Sequence, residues 1–188
     1  AESARVLGLS DADIVDGLAS APAVPGRMQT VMASSNANEK RPRPTVVVDY
    51  SHTPDSIGVA LATLRAVAPG ARLSIVFGCG GDRDQQKRPL MGRAAELGAD
   101  RVYVTSDNPR SEDPMRIIKD ALAGFESGED VIVEPDRKSA IERAIIDAGP
   151  DDVVLIAGKG HEKTQTIGSD VLPFDDVSIA AHMLKADT

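Results

Sequence analysis

The chain has 188 residues, 41% of them hydrophobic, enough for one well-buried core and a small appendage. Its formal net charge of −8 argues against a surface built for nucleic acid or anionic lipid, so small ligands are the expected partners. A lone cysteine, Cys79, excludes an intrachain disulfide, and no apolar run approaches the ~20 residues that span a bilayer; no membrane insertion and a reducing, cytoplasmic setting are expected.

The first segment, AESARVLGLSDADIVDGL, spaces Val6, Leu9, Ile14 and Leu18 as a helix does, with acidic residues between, and does not read as a leader. It starts abruptly. Next, SSNANEKRPRP (34–44) is polar and broken by Pro42 and Pro44, a linker between two unequal parts. Beyond it, apolar runs of strand length alternate with helix-period segments. TVVVDY (45–50), LSIVFGC (73–79), RVYVTS (101–106), DVIVEP (130–135) and DVVLIAG (152–158) mostly lack polar alternation, as strands covered on both faces do, so all are expected to lie centrally in one sheet. Between them, DSIGVALATLRAV, RPLMGRAAELGA, PMRIIKDALAGF and RKSAIERAIIDAG are long enough for crossover helices. The pattern predicts an α/β fold, a Rossmann-like, doubly wound and mostly parallel sheet. Thr53-Pro54, Asp113-Pro114 and Asp136 signal helix starts and Gly149-Pro150 a stop. QTIGSDVLPF reads as a hairpin turning at Gly168, and DDVSIAAHMLKA as a closing helix capped by Asp175 or Asp176. There is no internal repeat.

In open α/β sheets ligands bind beyond the carboxyl ends of the strands, so the loops that follow each strand are the candidates. GCGGDRD fails as a dinucleotide fingerprint because Arg83 stands where the third glycine would be, and AGKG fails as a phosphate-binding loop because Val153 and Gly160 replace its first glycine and its Ser or Thr. The glycines serve a tight turn, with or without room for a ligand. In DNPR (107–110), Pro109 fixes its own φ and pushes Asn108 toward extended geometry. Arg110 offers a planar fork for a carboxylate, Asn108 donates and accepts, and Asp107 accepts from an ammonium, a set that suits an amino acid. The alternative is a capping loop in which Arg110 pairs with Glu112 or Asp113.

Taken together, DYSHTPDS, FGCGGDRDQQKRPLMG, TSDNPR and IAGKGHE, in this order and spacing, resemble the C-terminal domain of the Mur ligases, specifically of members that accept meso-diaminopimelate. The resemblance covers residues 24–188 closely and 1–23 loosely. It implies a C-terminal amino-acid-binding domain at 24–188 and a remnant of the central ATPase domain at 1–23. By motif it gives the diaminopimelate contacts as Arg83, Asp107, Asn108, Pro109, Arg110, Gly158 and Glu162, with Arg110 setting specificity. The chemistry agrees: two carboxylates and two amino groups need two cationic forks, Arg83 and Arg110, and acceptors such as Asp107, Glu162 and the Gly158 carbonyl. The alternatives are a solvated loop charge for Arg83 and a surface carboxylate for Glu162.

The same resemblance gives a nucleotide-facing set. Val24-Pro25-Gly26-Arg27-Met28 matches the family's hinge, with Gln29 in place of glutamate, and Arg27 is implied to meet ATP on domain closure. Asp49, Tyr50 and His52 match a segment that closes over the nucleotide, with Ser51 replacing alanine; His52 as a cap or core histidine stays open. The family couples ATP cleavage to an acyl phosphate on UDP-MurNAc-L-Ala-D-Glu, which the incoming amine attacks. No phosphate loop, magnesium-holding residue, carbamylated lysine or UDP-sugar domain is found, so a C-terminal fragment is expected, inactive alone and without a catalytic residue of its own, with ATP and Mg2+ held mainly by the central domain. The alternatives are a non-catalytic amino-acid-binding module, or the matching domain of a lysine-adding ligase or a folylpolyglutamate synthase.

Overall fold

The computed structural model describes residues 2–31 and 43–185; the linker expected at 34–44 lies, up to residue 42, outside them. In chain order the elements are α1 (Glu2–Val6), α2 (Asp11–Ser20), β1 (Gln29–Val31), β2 (Thr45–Asp49), α3 (Pro54–Val67), β3 (Leu73–Cys79), α4 (Lys87–Gly98), β4 (Arg101–Ser106), α5 (Pro114–Leu122), β5 (Val131–Val133), α6 (Arg137–Ile146), β6 (Val153–Ala157), β7 (Thr164–Ile167), β8 (Asp170–Pro173) and α7 (Asp176–Lys185).

Six strands form one sheet in the order β1-β2-β6-β3-β4-β5, and β7-β8 form a separate hairpin. Strands β2 to β6 run parallel, while β1 pairs antiparallel with β2. Valine and isoleucine repeat without polar interruption because both faces are covered. Residues Ile75, Phe77 and Leu155 face α3, α4 and α5, whereas Val46, Val76 and Ile156 face α6 and α7. Each such side chain, taken out of water completely, contributes roughly 1.5–3 kcal/mol. With helices on both faces, the sheet is doubly wound, as the alternation of elements predicts.

Two expectations change, and one element went unread. The DVIVEP run is an edge strand of three residues, not a central one, and Val133 is 39% exposed because only β4 pairs with it. The opening segment is two helices instead of one: Gly8 at φ 84° ends α1, and Ser10 starts α2 through a capping box with Asp13. Of its apolar residues only Ile14 is buried; Val6, Leu9 and Leu18 are exposed. Finally, β1 follows directly on the VPGRM segment, where three residues gave too short a pattern to read.

The capping signals hold. Thr53, Asp113 and Asp136 accept from backbone N–H groups of their first turns, and Pro54 and Pro114 occupy first-turn positions. At α7 the cap is Asp175, which accepts from Val177 N and Ser178 Oγ. Asp176 turns inward instead and is completely buried against Arg137.

Candidate functional site

The carboxyl ends of β2, β3, β4 and β6 open into one cavity of about 270 Å³, close to the lower limit of roughly 300–1,000 Å³ for small-molecule sites. Tyr50, His52, Arg83, Asp107, Asn108, Arg110, Gly158 and Glu162 all line it. The residues assigned to substrate and two of those assigned to nucleotide therefore share one space. Pro109, buried within the DNPR loop, lies outside the lining, as do Arg27 and Asp49.

The hairpin fixes the DNPR loop. Gln165 Nε2 donates to the Asp107 carbonyl at 2.7 Å, Thr166 N to Asn108 Oδ1 at 2.9 Å, Arg110 N to the Thr166 carbonyl at 3.1 Å and Gly168 N to the Arg110 carbonyl at 2.7 Å. These bonds hold Arg110 at φ 52°, a left-handed conformation that costs a non-glycine residue on the order of 1–2 kcal/mol. Across the loop, a Cβ on Gly81 would lie 1.9 Å from the Pro109 carbonyl oxygen, so glycine is what lets the GGDRD and DNPR loops touch. Arg110 Nη1 donates to the Gly81 carbonyl at 2.7 Å, which aims the guanidinium, while among the described residues its Nε and Nη2 make no such bond. The capping alternative for Arg110 does not occur. Glu112 pairs bidentately with the buried Arg88, at 2.7 and 3.0 Å, and also accepts from Asp82 N. The Arg88 guanidinium, helped by Asp82 N, pulls the Glu112 carboxyl down to about 2.

In the GKGHE turn Gly158 and Gly160 take φ 117° and 52°. Between them Lys159 points inward and is fully buried; its Nζ donates to Asn108 Oδ1 at 2.9 Å and Glu162 Oε2 at 3.3 Å. Asn108, itself buried, donates from Nδ2 to the same Glu162 oxygen at 3.0 Å. Arg137 underpins both loops by donating to the carbonyls of Ala157 at 3.0 Å and Ser106 at 3.4 Å.

The hinge segment docks on this turn. A Cβ on Gly26 would come within 2.1 Å of His161 N, and one on Gly160 within 2.7 Å of the Gly26 carbonyl oxygen, so two glycines face each other in contact. Arg27 lies 4.5 Å over the Tyr50 ring, and His52 and His161 pack on the same ring at 4.7 and 5.4 Å. His52 Nδ1 donates to the Tyr50 carbonyl at 2.8 Å, which fixes the ring beside the tyrosine. It is an exposed loop residue, not a core histidine. Asp49 is 7% exposed and accepts from Met28 N, Ser51 N and Ser51 Oγ, so its carboxylate ties the hinge to the end of β2. A cation, an aromatic face and imidazoles fit the phosphates and base of a nucleotide. Among the described residues no group of three or more His, Cys, Asp or Glu could hold a metal ion; Mg2+ ordinarily binds through one or two carboxylates together with the phosphates.

Residues 26–160 match the family described as Mur ligase, glutamate ligase domain. The chain belongs to the Mur ligases. Among its relatives, the UDP-N-acetylmuramoyl-L-alanyl-D-glutamate–2,6-diaminopimelate ligase of Parasynechococcus marenigrum (strain WH8102) is 52% identical over 95% of the chain and 35% of its own length. The ligase of the same name from Geobacillus thermodenitrificans (strain NG80-2) is 50% identical, with the same shares covered. A solved structure of such a ligase superposes with a TM-score of 0.76 at 40% identity, covering 97% of this chain and 36% of the other. The chain thus spans about a third of the length of the relatives it matches.

Within this Mur ligase domain, sequence reasoning missed Lys87, Lys159 and His161. Lys87 lines the cavity and its Nζ donates to the His52 carbonyl at 3.0 Å, joining the loop after β2 to the start of α4. Its signal was its place in the KRPLMG segment, one turn beyond Arg83. Lys159 and His161 sat inside the GKGHE motif, but nothing local says that a lysine will be buried.

Proposed function

We propose that this Mur ligase domain binds meso-diaminopimelate and presents it for ATP-dependent amide formation with UDP-MurNAc-L-Ala-D-Glu, in the cytoplasm and as part of a longer ligase. The observation that carries this reading is the pairing, in one cavity, of the cationic forks of Arg83 and Arg110 with the carboxylates of Asp107 and Glu162. Two carboxylates and two amino groups on one ligand require such a set. Arg110 reads the distal carboxylate, Arg83 the other, and Asp107, Glu162 and the Gly158 carbonyl accept from amino groups, so the chain orients the amine that is to attack. Arg27, Tyr50 and His52 face ATP, which supplies the activation of the acceptor carboxylate. Mg2+ is assigned to another domain. Residues 1–23, with Val6 and Leu18 exposed, are assigned to that neighbouring ATPase domain.

The test is Arg110→Ala in the full-length ligase, assayed with meso-diaminopimelate and with lysine, which lacks the distal carboxylate. Loss of a bidentate, charge-assisted contact of about 1.5–3 kcal/mol should appear mainly as a raised KM for meso-diaminopimelate and narrow the preference over lysine roughly 10- to 150-fold. Arg110→Lys keeps the charge without the planar fork and should recover only part of it. An unchanged preference ratio in Arg110→Ala refutes the assignment.

A further inference from the structure

We propose that Lys159 is a positioning residue for Glu162, holding that carboxylate so that one oxygen is presented to an amino group of the bound amino acid; this rests on the reading of the cavity as an amino-acid site. A lysine side chain with no solvent exposure is rare, and its charge is tolerated in the interior only when paired and hydrogen-bonded. Here both partners belong to the cavity. Asn108 Oδ1 accepts from Lys159 Nζ at 2.9 Å and from Thr166 N at 2.9 Å. Two donors on one amide oxygen forbid the flipped amide, so Nδ2 is committed to Glu162 Oε2 at 3.0 Å. Lys159 Nζ closes the ring on the same oxygen at 3.3 Å.

The arrangement uses up one Glu162 oxygen and spares the other: among the described residues no donor bonds Oε1. Glu162 is 34% exposed, so without the ammonium its side chain can swing to solvent, whereas the ring keeps it against the cavity. The backbone enforces this. Gly158 and Gly160 at positive φ flank Lys159, and Glu162 N donates to the Lys159 carbonyl at 2.9 Å, which sets the two side chains on one side of a tight turn.

The experiment is a 1H–15N NMR titration of the chain with meso-diaminopimelate and with the L and D forms of 2-aminopimelate, each of which lacks one of the two amino groups. For one of these forms the wild-type affinity should fall by about tenfold or more, the loss expected for a charge-assisted hydrogen bond, and Glu162→Gln should abolish that difference. Lys159→Met should bring the same ratio to within about threefold and add nothing when combined with Glu162→Gln. A lysine that merely supports the fold would weaken all three ligands equally, and a wild-type ratio in Lys159→Met overturns the proposal. Should Lys159→Met lose its dispersed spectrum, the wild-type chain decides. Its buried ammonium protons should exchange slowly and shift with meso-diaminopimelate but not with the discriminating 2-aminopimelate, and identical shifts with both overturn the proposal. Loss of binding in Arg110→Ala by contrast checks the site itself: meso-diaminopimelate binding that ignores Arg110 overturns the cavity reading, and the role of Lys159 with it.

Discussion

Removing Asp176 tests the support beneath the two loops that build the cavity. Arg137 and Asp176 are both completely buried and meet bidentately at 2.9 and 2.8 Å. Burial alone would lower the Arg137 pKa, yet the Asp176 carboxylate outweighs it and the net displacement is upward, so the guanidinium stays charged. Asp176→Ala leaves that charge in the interior without a counter-ion, a loss of about 3–5 kcal/mol. For a domain of this size 1 kcal/mol shifts Tm by about 2–4 °C, so a fall of roughly 6–20 °C is expected. The pair Arg137→Met with Asp176→Leu, which removes both charges and keeps the volume apolar, should lie well above the single variant, because exchanging a buried ion pair for packed hydrophobic side chains is often neutral. Thermal and urea denaturation of the wild type, Arg137→Met, Asp176→Leu and the double variant give the cycle, with Asp176→Ala measured beside it. An Asp176→Ala variant within about 1 kcal/mol of wild type, or a double variant as unstable as the sum of the singles, refutes the reasoning. If it holds, ligand affinity should fall with Asp176→Ala even below its new Tm, since Arg137 also holds the Ser106 and Ala157 carbonyls from which the DNPR and GKGHE loops depart.

Gly160→Ala should destabilise by roughly 1–3 kcal/mol, because it combines a φ of 52° with a Cβ contact of 2.7 Å to the Gly26 carbonyl, whereas Gly168→Ala, at φ 60° with open space around it, should show only the backbone strain of about 1 kcal/mol; equal Tm losses would mean that the hinge does not press on the turn. Glu112 is depressed from 4.5 to about 2 in the fold, so its stabilising contribution is full above pH 4.5 and is lost as pH falls toward 2. The Tm gap between wild type and Glu112→Gln should therefore close over that window, and a gap independent of pH would contradict the Arg88 pairing. The isolated chain should show no ATP hydrolysis and no amide formation; turnover by a clean preparation would contradict the assignment of phosphate handling to another domain.

Much of the fold is legible in the sequence because parallel strands covered on both faces leave continuous Val and Ile runs, and because Thr53, Asp113 and Asp136 mark helix starts through local hydrogen bonds. What escaped was decided by neighbours. DVIVEP has the composition of a central strand, but an edge is defined by the absence of a second partner, which no local pattern encodes. Asp175 and Asp176 are identical as side chains, and only the position of Arg137 on another helix separates cap from ion pair. At the site, the types of Arg83, Asp107, Arg110 and Glu162 are informative because charge chemistry is carried by the side chain itself. The burial of Lys159 is not, since a lysine goes inside only where distant acceptors such as Asn108 and Glu162 converge on it.

The hairpin's hold on Arg110 has a consequence for transplanting this recognition. Of the bonds that pin the DNPR loop, those from Thr166 and Gly168 are given or taken by peptide groups, so they depend on backbone position and not on a side chain, apart from the positive φ that favours glycine at 168. Val171 and Leu172 in β8, being exposed, are free to drift without altering them. If Arg110 reads the distal carboxylate as proposed, a DNPR tetrapeptide grafted onto another parallel sheet will carry its side chains but not its left-handed arginine backbone, and will not discriminate. The strand pair must travel with it, although little in its own letters declares the task.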